Sequence, residues 1–452
     1  MKTTFLKTVL GLLITLNSSL ALAQAWIPVG DTDFPYTEYS TLVLDNNDTP
    51  YIFYKNYFED NIGFVVKFEN DSWNSVGEGG LTETIYPGPG TAVGWKTHTL
   101  ALNSNNIPHV AYVNTDGELA VKKFENNQWQ FIGEEAISPV SATAISLAFD
   151  NNNVPYVSYV DWNINSLVVK RFEDNNWLYV GSTVSTNLLV LSSKIAFDNN
   201  NKLYIVYTGK EGLWSQNSIT LKKNENNNWE DVGTIITTEQ DNIFDVALAI
   251  DNQNIPYVAY NQSFNTILVK KFAENDWQTI GEVESSSENH HIFDSFAIDN
   301  TNIPYISYTT INLTNNSHIA TIKKYENSLW QIFDVTNQFN GVSSITFDSN
   351  NIPYAVFTTT GSTTVRKFDP TAGIDNHAQQ SISMYPNPTS GILYIETSQA
   401  FQSYEVYNLI GQRLLKGNVT GSIDIKDLSK GTYIIRLITQ GGAVITEKII
   451  KE

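Results

Sequence analysis

The chain lacks cysteine altogether, since none occurs among its 452 residues. This absence excludes disulfide bonds, thiolate metal sites and cysteine nucleophiles. Basic residues are also scarce: 27 Lys and Arg stand against 47 Asp and Glu, for a formal net charge of −20. Because binding to nucleic-acid phosphates requires clustered Lys and Arg, we expect no nucleic-acid partner.

Long apolar runs are also missing. The apolar run of residues 8–16 is too short to span a bilayer, and no later stretch approaches the length that a membrane helix needs. The run follows the basic residues Lys2 and Lys7 and precedes a small-x-small site at residues 21–23. This order is typical of a secretory signal peptide. We therefore predict a signal peptide at residues 1–23 and no transmembrane segment.

What the chain does contain is a segment that returns seven times, at a spacing of roughly 50 residues. Six of the seven copies hold a basic-aromatic pair such as Lys123-Phe124, and the fourth has Lys223-Asn224 at that place. A Trp strand such as residues 177–181 also occurs seven times. A repeat of this length with several short strands in each copy is typical of a β-propeller. Each copy opens with an Asp or Asn five residues before a Pro-Tyr or related pair, at Asp45, Asn103, Asp150, Asp198, Asp251, Asp299 and Asp348.

The Trp strands are out of phase with the other markers. Trp26 precedes the first Asp marker, and no Trp strand follows Lys367-Phe368 in the last copy. The seventh repeat therefore has only three strands of its own, and residues 25–30 would supply the fourth. Closing a ring in this way removes an exposed sheet edge, whereas a solenoid needs no such permuted end. The prediction is an all-β fold, with a seven-bladed β-propeller at residues 24–369 closed by its N-terminal strand.

A different pattern begins near the C-terminus. Residues 370–384 have linker composition, and the short strands and turns of residues 385–452 predict a small Ig-like antiparallel β-sandwich. Three motifs follow in order: Tyr385-Pro-Asn-Pro, Leu428-Ser-Lys-Gly-Thr-Tyr and Lys448-Ile-Ile-Lys. They closely resemble the type A C-terminal sorting domain of cargo proteins of the type IX secretion system. The resemblance implies that residues 385–452 bind the secretion machinery of a Gram-negative bacterium and direct the protein through the periplasm to the outside or the outer cell surface.

The loops at one end of the repeats are nearly the same in every copy. Asp and Asn in loops such as residues 150–155 accept hydrogen bonds from nearby backbone N–H groups, which is how tight turns form. Calcium is the alternative, because such loops offer oxygen ligands. Five of the seven loops have a single Asp, however, and a turn explains all seven, so we predict no metal site and no cofactor. The basic strands could similarly form an anion-binding belt, but solvated side chains on a peripheral strand explain them more simply.

The loops at the other end differ between copies, and this is where we expect a binding surface. Aromatic rings suit the apolar faces of sugars, and nearby carboxylates and amides suit their hydroxyl groups. A loop aromatic can equally pack on a neighbouring loop. The candidate ligand-binding residues are Trp95, His98, Asp161, Trp162, Trp214, Phe264, His290, His291, Phe293 and Asp294.

Evidence for catalysis is limited to one cluster. His290 and His291 lie near Glu288 and Asp294 and could form a metal or acid–base group. No nucleophile motif, zinc spacing or phosphate loop accompanies them, so we assign no catalytic residue. We predict a non-catalytic binding or adhesion protein for an extracellular glycan or protein, and the alternative is a secreted carbohydrate-active hydrolase or lyase. If the loop aromatics are packing residues, we expect the site at a channel rim formed by His98, Lys194, Asp245 and Asp294.

Overall fold

The structure is a computed structural model, and its contacts divide the chain into two compact units, one of which is Gln24–Pro370 and the other of which includes Thr371–Glu452. The part described is all-β and holds no helix, and hence no helix that could cross a membrane. The described residues are 25–30, 34–35, 37, 40–56, 60–77, 81, 84–86, 96–138, 142–186, 189–210, 218–234, 236, 245–262, 266–284, 295–312, 317–336, 339, 341–359, 361–370, 383–396, 401–408, 412–419, 421–439 and 444–452.

The described part of the first unit forms seven antiparallel sheets, each with a main path of four strands. Two strands precede the repeats, β1 (Ala25–Pro28) and β2 (Phe34–Pro35). The strands of repeats 1 to 3 are β3 (Thr41–Leu44), β4 (Pro50–Asn56), β5 (Ile62–Glu69), β6 (Ser72–Ser75), β7 (His98–Leu102), β8 (Pro108–Val113), β9 (Leu119–Glu125), β10 (Gln128–Phe131), β11 (Ala142–Phe149), β12 (Pro155–Asp161), β13 (Ser166–Glu173), β14 (Asn176–Tyr179) and the short β15 (Ser185–Thr186).

Repeats 4 to 6 have the same four-strand order, and repeat 7 contributes three strands of its own. Their bounds are β16 (Leu189–Phe197), β17 (Leu203–Lys210), β18 (Ser218–Glu225), β19 (Asn228–Asp231), β20 (Val246–Ile250), β21 (Pro256–Gln262), β22 (Thr266–Ala273), β23 (Asp276–Glu284), β24 (Phe296–Ile298), β25 (Pro304–Asn312), β26 (Ser317–Glu326), β27 (Leu329–Thr336), β28 (Gly341–Phe347), β29 (Pro353–Thr358) and β30 (Ser362–Asp369).

The N-terminal strand β1 occupies the fourth position of the seventh sheet. It pairs with β30 in antiparallel register, with Trp26 opposite Phe368, and the amide of Val29 donates to the carbonyl of Val365 at 2.9 Å. The Trp26 ring also packs on Phe357, with ring centroids 5.1 Å apart. The out-of-phase Trp marker predicts this pairing, because the strand that the last repeat lacks lies at the other end of the chain.

Each repeat uses its Asp or Asn marker to build the turn between its first and second strands. In repeat 3 the Oδ1 atom of Asp150 accepts the amides of Asn152 and Val154 at 2.9 and 2.8 Å. Asn153 then adopts a φ of 63°, which Asn tolerates better than most residues. The same pair of bonds occurs in all seven repeats. The turn therefore explains the Asp and Asn residues without a bound ion.

The seven turns are also bonded to one another. The Asn at the positive-φ position accepts an amide from the turn of the preceding repeat, as in Ser104 N to Asn153 Oδ1 at 2.8 Å. The pattern continues through repeat 7. Between repeats 7 and 1 the acceptor is Asp48, which takes both the amide and the hydroxyl of Ser349, at 2.8 and 2.6 Å. We call this set of contacts the turn belt.

The Trp strand links neighbouring sheets in most repeats. The indole N–H of Trp129 donates to the carbonyl of Val76 in the preceding repeat at 2.6 Å, and four other junctions have the same bond. The next residue is a glycine with positive φ, and a Cβ at Gly77 would lie 3.0 Å from the Trp129 ring. Trp26 and Trp330 have no such partner among the described residues. At the Trp26 junction, Phe333 and Asp334 replace the usual Val-Gly or Ile-Gly pair.

The first strands of repeats 1, 2, 3 and 7 converge on one cavity of about 370 Å³. Its walls are mostly small or aliphatic, and they come from the ends of those strands: Val43, Leu44, Ala101, Leu102, Ala148, Phe149 and Thr346. The first strand of each repeat thus lies innermost, and the Trp strand lies outermost in the sheet order.

The second unit contains two antiparallel sheets that share one core. Leu393 and Ile423 come from the smaller sheet, Val406, Ile435 and Leu437 come from the larger, and all five are buried in one cluster. The strands are β31 (Ser383–Tyr385), β32 (Ile392–Glu396), β33 (Phe401–Asn408), β34 (Arg413–Asn418), β35 (Ser422–Asp424), β36 (Gly431–Thr439) and β37 (Val444–Lys451). Strand β31 begins at Ser383, within the segment whose composition predicts a linker.

Candidate binding surface

The antiparallel pairing gives the sheets of the first unit two ends. The turn belt and the turns between third and fourth strands lie at one, which we call the turn end. The second strands run away from the turn end and finish at the other, which we call the variable end, because their last residues are of six different types. These last residues are Asn56, Val113, Asp161, Lys210, Gln262, Asn312 and Thr358.

Asp161 and Trp162 lie at the variable end, but both are held by the protein. Asp161 is 2 % exposed, and its carboxylate accepts the amide of Asn163 at 3.0 Å, which shapes the loop after β12. The indole N–H of Trp162 donates to the hydroxyl of Thr143 at 3.0 Å. The ring packs against the cluster between repeats 3 and 4, which includes Val184. Trp162 therefore joins two repeats as well as bordering the surface.

His98 begins β7, and it is buried rather than open at a channel mouth. Only 1 % of the residue is exposed, and its ring lies edge-on to Phe53 with centroids 4.9 Å apart. Asp245, part of the alternative rim, is fully buried and accepts the Ser192 hydroxyl at 3.2 Å. Lys194 lies on the innermost strand of repeat 4 and is partly exposed. His98 and Asp245 are thus held by side chains of neighbouring strands.

The other candidate residues lie outside the described residues. They are Trp95, Trp214, Phe264, His290, His291, Phe293 and Asp294. In the part of the chain that is described, no three His, Asp or Glu side chains lie close enough to hold a metal ion together.

Several buried lysines near the repeat junctions are not among the candidates. Lys55 and Lys96 are 2 % and 6 % exposed, and a buried ammonium group requires a partner in the protein. Lys170 donates to the carbonyl of Ile137 in the preceding repeat at 2.7 Å, and burial lowers its pKa. Lys270 makes the equivalent bond in repeat 5, to Ile236, at 2.8 Å. Lys170 and Lys270, each the first of two consecutive basic residues in its strand, therefore link neighbouring sheets and are not part of a free anion-binding belt.

The three C-terminal motifs are brought together in the second unit. The side chain of Asn387, between the two prolines, accepts the amide of Ile450 and donates to the carbonyl of Lys448, at 2.8 and 2.9 Å. The Tyr433 hydroxyl donates to the carbonyl of Ser429 at 2.7 Å, within its own motif. The last lysine, Lys451, donates to Ser390 at 2.8 Å. The first and last motifs therefore bind each other directly.

This region matches the family described as the secretion system C-terminal sorting domain, over residues 383–452. Residues 383–452 are a type IX sorting domain. The match confirms the resemblance that the motifs carry, and it begins two residues before the predicted boundary. The domain implies interaction with the secretion machinery and export to the cell surface or the extracellular space.

Comparison with solved structures shows a propeller-type fold. An ulvan lyase of polysaccharide lyase family PL25 has a TM-score of 0.53 at 11% identity, with 75% of this chain and 95% of that chain covered. A puromycin-hydrolyzing peptidase of Mycobacterium tuberculosis has a TM-score of 0.54 at 9% identity, with 80% and 57% covered. The extracellular domain of the BT4673 system of B. thetaiotaomicron reaches 0.47 at 13% identity, with 95% and 58% covered. No curated protein sequence matches the chain.

Proposed function

We propose that the protein is an exported binding protein without catalytic activity, which attaches to a glycan or a protein outside the cell. The observation that carries this proposal is the contrast between the two ends of the repeats. At the turn end the same hydrogen bonds recur in all seven repeats. At the variable end the seven second strands finish on six different residue types, and only Asn occurs twice. A repeated scaffold that differs at one end is a common way to build recognition.

The scaffold that we propose is one seven-bladed ring at residues 24–369, closed by β1. It follows a signal peptide at residues 1–23, and a linker that begins at residue 370 joins it to the sorting domain at 383–452. Contacts between the last and first repeats support closure. Besides the bonds of Ser349 to Asp48, the Ser344 hydroxyl accepts the amide of Leu42 at 3.3 Å.

The ligand would bind at the variable end, on the aromatic and polar side chains singled out in the sequence. Asp161 and Trp162 support this location, because the turn that Asp161 caps presents Ile164 with 49 % of its surface exposed. An apolar side chain held on a rigid loop loses little conformational entropy when a ligand covers it.

A carbohydrate-active hydrolase or lyase with its site at the same end is the second candidate. The fold is compatible with this activity, since the ulvan lyase has a propeller-type fold and is covered over 95% of its chain. A glycan array combined with hydrolysis and lyase assays on the same polysaccharides separates the candidates. Binding without product release supports the binding protein, and the release of unsaturated or reducing ends refutes it.

Two alanine variants locate the surface. For Trp214→Ala we expect affinity to fall by about 1–3 kcal/mol with an unchanged thermal midpoint. Trp162→Ala should lower both affinity and the midpoint, because the ring also packs between repeats 3 and 4. Thr143→Val is the matched control, since it removes only the hydroxyl that the Trp162 indole binds. Unchanged affinity in both alanine variants would place the site elsewhere.

A further inference from the structure

One side of the second unit collects basic side chains. Residues 383–452 hold seven basic and six acidic residues, so their charges nearly balance. The balance is not kept on the larger sheet, on the side that faces away from the core. Four of the basic residues but only one of the acidic residues lie there: Arg413, Lys416, Arg436, Lys448 and Glu405. We call this side of the sheet the basic face.

The strand register places the charged groups side by side. Lys416 and Arg436 lie directly opposite Glu405, on the two strands that flank β33. Arg413 lies opposite Tyr407, two residues further along β33. Because alternate residues of a strand point to the same side, Glu405 and Tyr407 share the side that faces away from the buried core.

Lys448 and two isoleucines extend the same side across the last two strands. Ile434 of β36 lies opposite Tyr407, and Lys448 of β37 lies opposite Ile434. Ile450, two residues after Lys448, is 41 % exposed. Cations and apolar side chains therefore border one another on the basic face.

Glu405 is the carboxylate that three of the cations share. Its side chain is largely buried, and its Oε1 atom lies 2.9 Å from Arg413 and 3.6 Å from Lys416. Arg436 lies 4.0 Å from Oε2, which also accepts the Tyr407 hydroxyl at 2.7 Å. The Tyr407 hydrogen bond and the neighbouring cations lower the pKa of Glu405, so it stays ionised at neutral pH. One negative charge therefore fixes the positions of three positive ones.

A network that served stability alone would give each cation its own carboxylate, as the repeats of the first unit do. There, Lys67, Lys123 and Lys324 each lie 2.7 Å from a glutamate two residues later in the same strand. On the basic face the cations outnumber the carboxylate, and Lys448 makes no ion pair with any described residue. Like charges gathered in this way repel one another. The cluster is therefore more favourable when a partner supplies negative charge.

The apolar part of the basic face selects the class of partner. The Arg436 guanidinium lies 5.8 Å above the Tyr407 ring, and Ile450 is exposed close to Lys448. Arg and Tyr are enriched in protein interfaces, where they often contribute most of the binding energy. The phosphates of a lipid surface would pair with the cations and leave Ile450 in water. An acidic protein surface can pair carboxylates with the cations and also cover the isoleucine.

We propose that the basic face is the surface on which the sorting domain docks to an acidic surface of a protein of the secretion machinery, before the chain crosses the outer membrane. The domain already implies a partner in that machinery, and the basic face adds the location and the charge of the contact. Complementary charge would speed the encounter and disfavour wrong partners. The proposal concerns export and is independent of the ligand of the first unit.

The test compares two charge reversals in the full chain, produced in a bacterium that has a type IX secretion system. The face variant is Lys416→Glu, and the matched control is Lys426→Glu on the smaller sheet. The two lysines are 59 % and 60 % exposed, and each lies near one carboxylate, at 3.6 and 3.4 Å. Cell fractionation measures the share of each protein in the periplasm, on the surface and in the medium. We expect Lys416→Glu to accumulate in the periplasm with roughly tenfold less outside the cell, and Lys426→Glu to change by less than about twofold.

A second variant guards against a folding defect. Lys448→Glu reverses an exposed charge that holds no described residue in an ion pair, so the thermal midpoint of the purified chain should not change. We expect it to accumulate in the periplasm as Lys416→Glu does. Normal delivery of Lys448→Glu, or equal delivery of Lys416→Glu and Lys426→Glu, overturns the proposal.

The place of the defect separates the other partners of a basic surface. Variants that leave the periplasm normally but are lost from the cell surface to the medium would assign the basic face to an anionic lipid and refute docking on the machinery. Salt-dependent self-association of the purified chain that Lys416→Glu abolishes would assign it to the acidic first unit of a second copy, with the same consequence. Neither result bears on the proposed binding function, which the glycan array measures on purified protein.

Discussion

His109 stands where the other six repeats have Tyr, and its surroundings make it an acid-sensitive point in the first unit. It is 4 % exposed, and its ring lies 4.6 Å from that of Phe149. Burial lowers the pKa of His109 to about 4, and this effect outweighs the hydrogen bond to the carbonyl of Ile107, which acts in the opposite direction. The folded protein therefore keeps this imidazole neutral well below the usual pKa.

The consequence for stability follows from proton binding. An unfolded chain has a His pKa of about 6.5, so between that value and about 4 the unfolded state takes up a proton that the folded state does not. Stability contributed by the neutral ring is present above about pH 6.5 and is lost as the pH falls through this window. The loss is about 2 kcal/mol between pH 7 and pH 5, and about 3 kcal/mol when complete.

The variant His109→Tyr isolates this effect. Repeat 3 shows that a tyrosine fits, because Tyr156 lies against Phe197 with ring centroids 4.9 Å apart in the same arrangement. The free energy of unfolding of both proteins is measured with urea at pH 7, 6 and 5. The carboxylates that they share contribute equally to both values, so the difference between the two proteins reports position 109. We expect the variant to gain about 2 kcal/mol on the wild type between pH 7 and pH 5. The reciprocal variant Tyr156→His should acquire the same acid sensitivity, and parallel pH curves for all three proteins would refute the reasoning.

Three further changes test the fold and the export signal. Removing residues 24–31 should lower stability by several kcal/mol and speed amide exchange in Ser362–Asp369, because β30 loses its partner; unchanged exchange would show that the pairing contributes nothing. Without residues 385–452 the first unit should fold but stay in the periplasm, and cell fractionation that finds it at the surface would contradict the export role. The variant Gly133→Ala should cost about 1–3 kcal/mol in denaturant melts, since its φ is +77° and a Cβ would lie 2.9 Å from Phe172; Gly361→Ala, with no atom within 4 Å, is the control.

The repeated pattern predicts much of the fold because it records local chemistry. The Asp150 turn and the position of the Trp26 strand both follow from residue order alone. The links between sheets do not follow from it. Whether the Trp129 indole reaches the Val76 carbonyl, or the Lys170 ammonium reaches Ile137, depends on the distance between two sheets that the period does not specify.

The candidate site shows the same limit. The sequence predicts Asp161, Trp162 and His98 as binding residues because their side chains suit a ligand and lie between the predicted strands. Whether such a side chain faces solvent depends on the residues packed against it. Here Trp162 donates a hydrogen bond to Thr143, and the His98 ring packs edge-on against Phe53.

The pairing of β1 with β30 also sets an order of events. Synthesis begins at the N-terminus, so the strand Ala25–Pro28 is made more than 300 residues before its partner strand, Ser362–Asp369. Closing so long a loop costs entropy that no local contact repays, so we expect this pairing to form late in folding. The sorting domain at 383–452 emerges only after β30. Because the sorting domain comes last in the chain, it is synthesised only after every strand of the first unit is present.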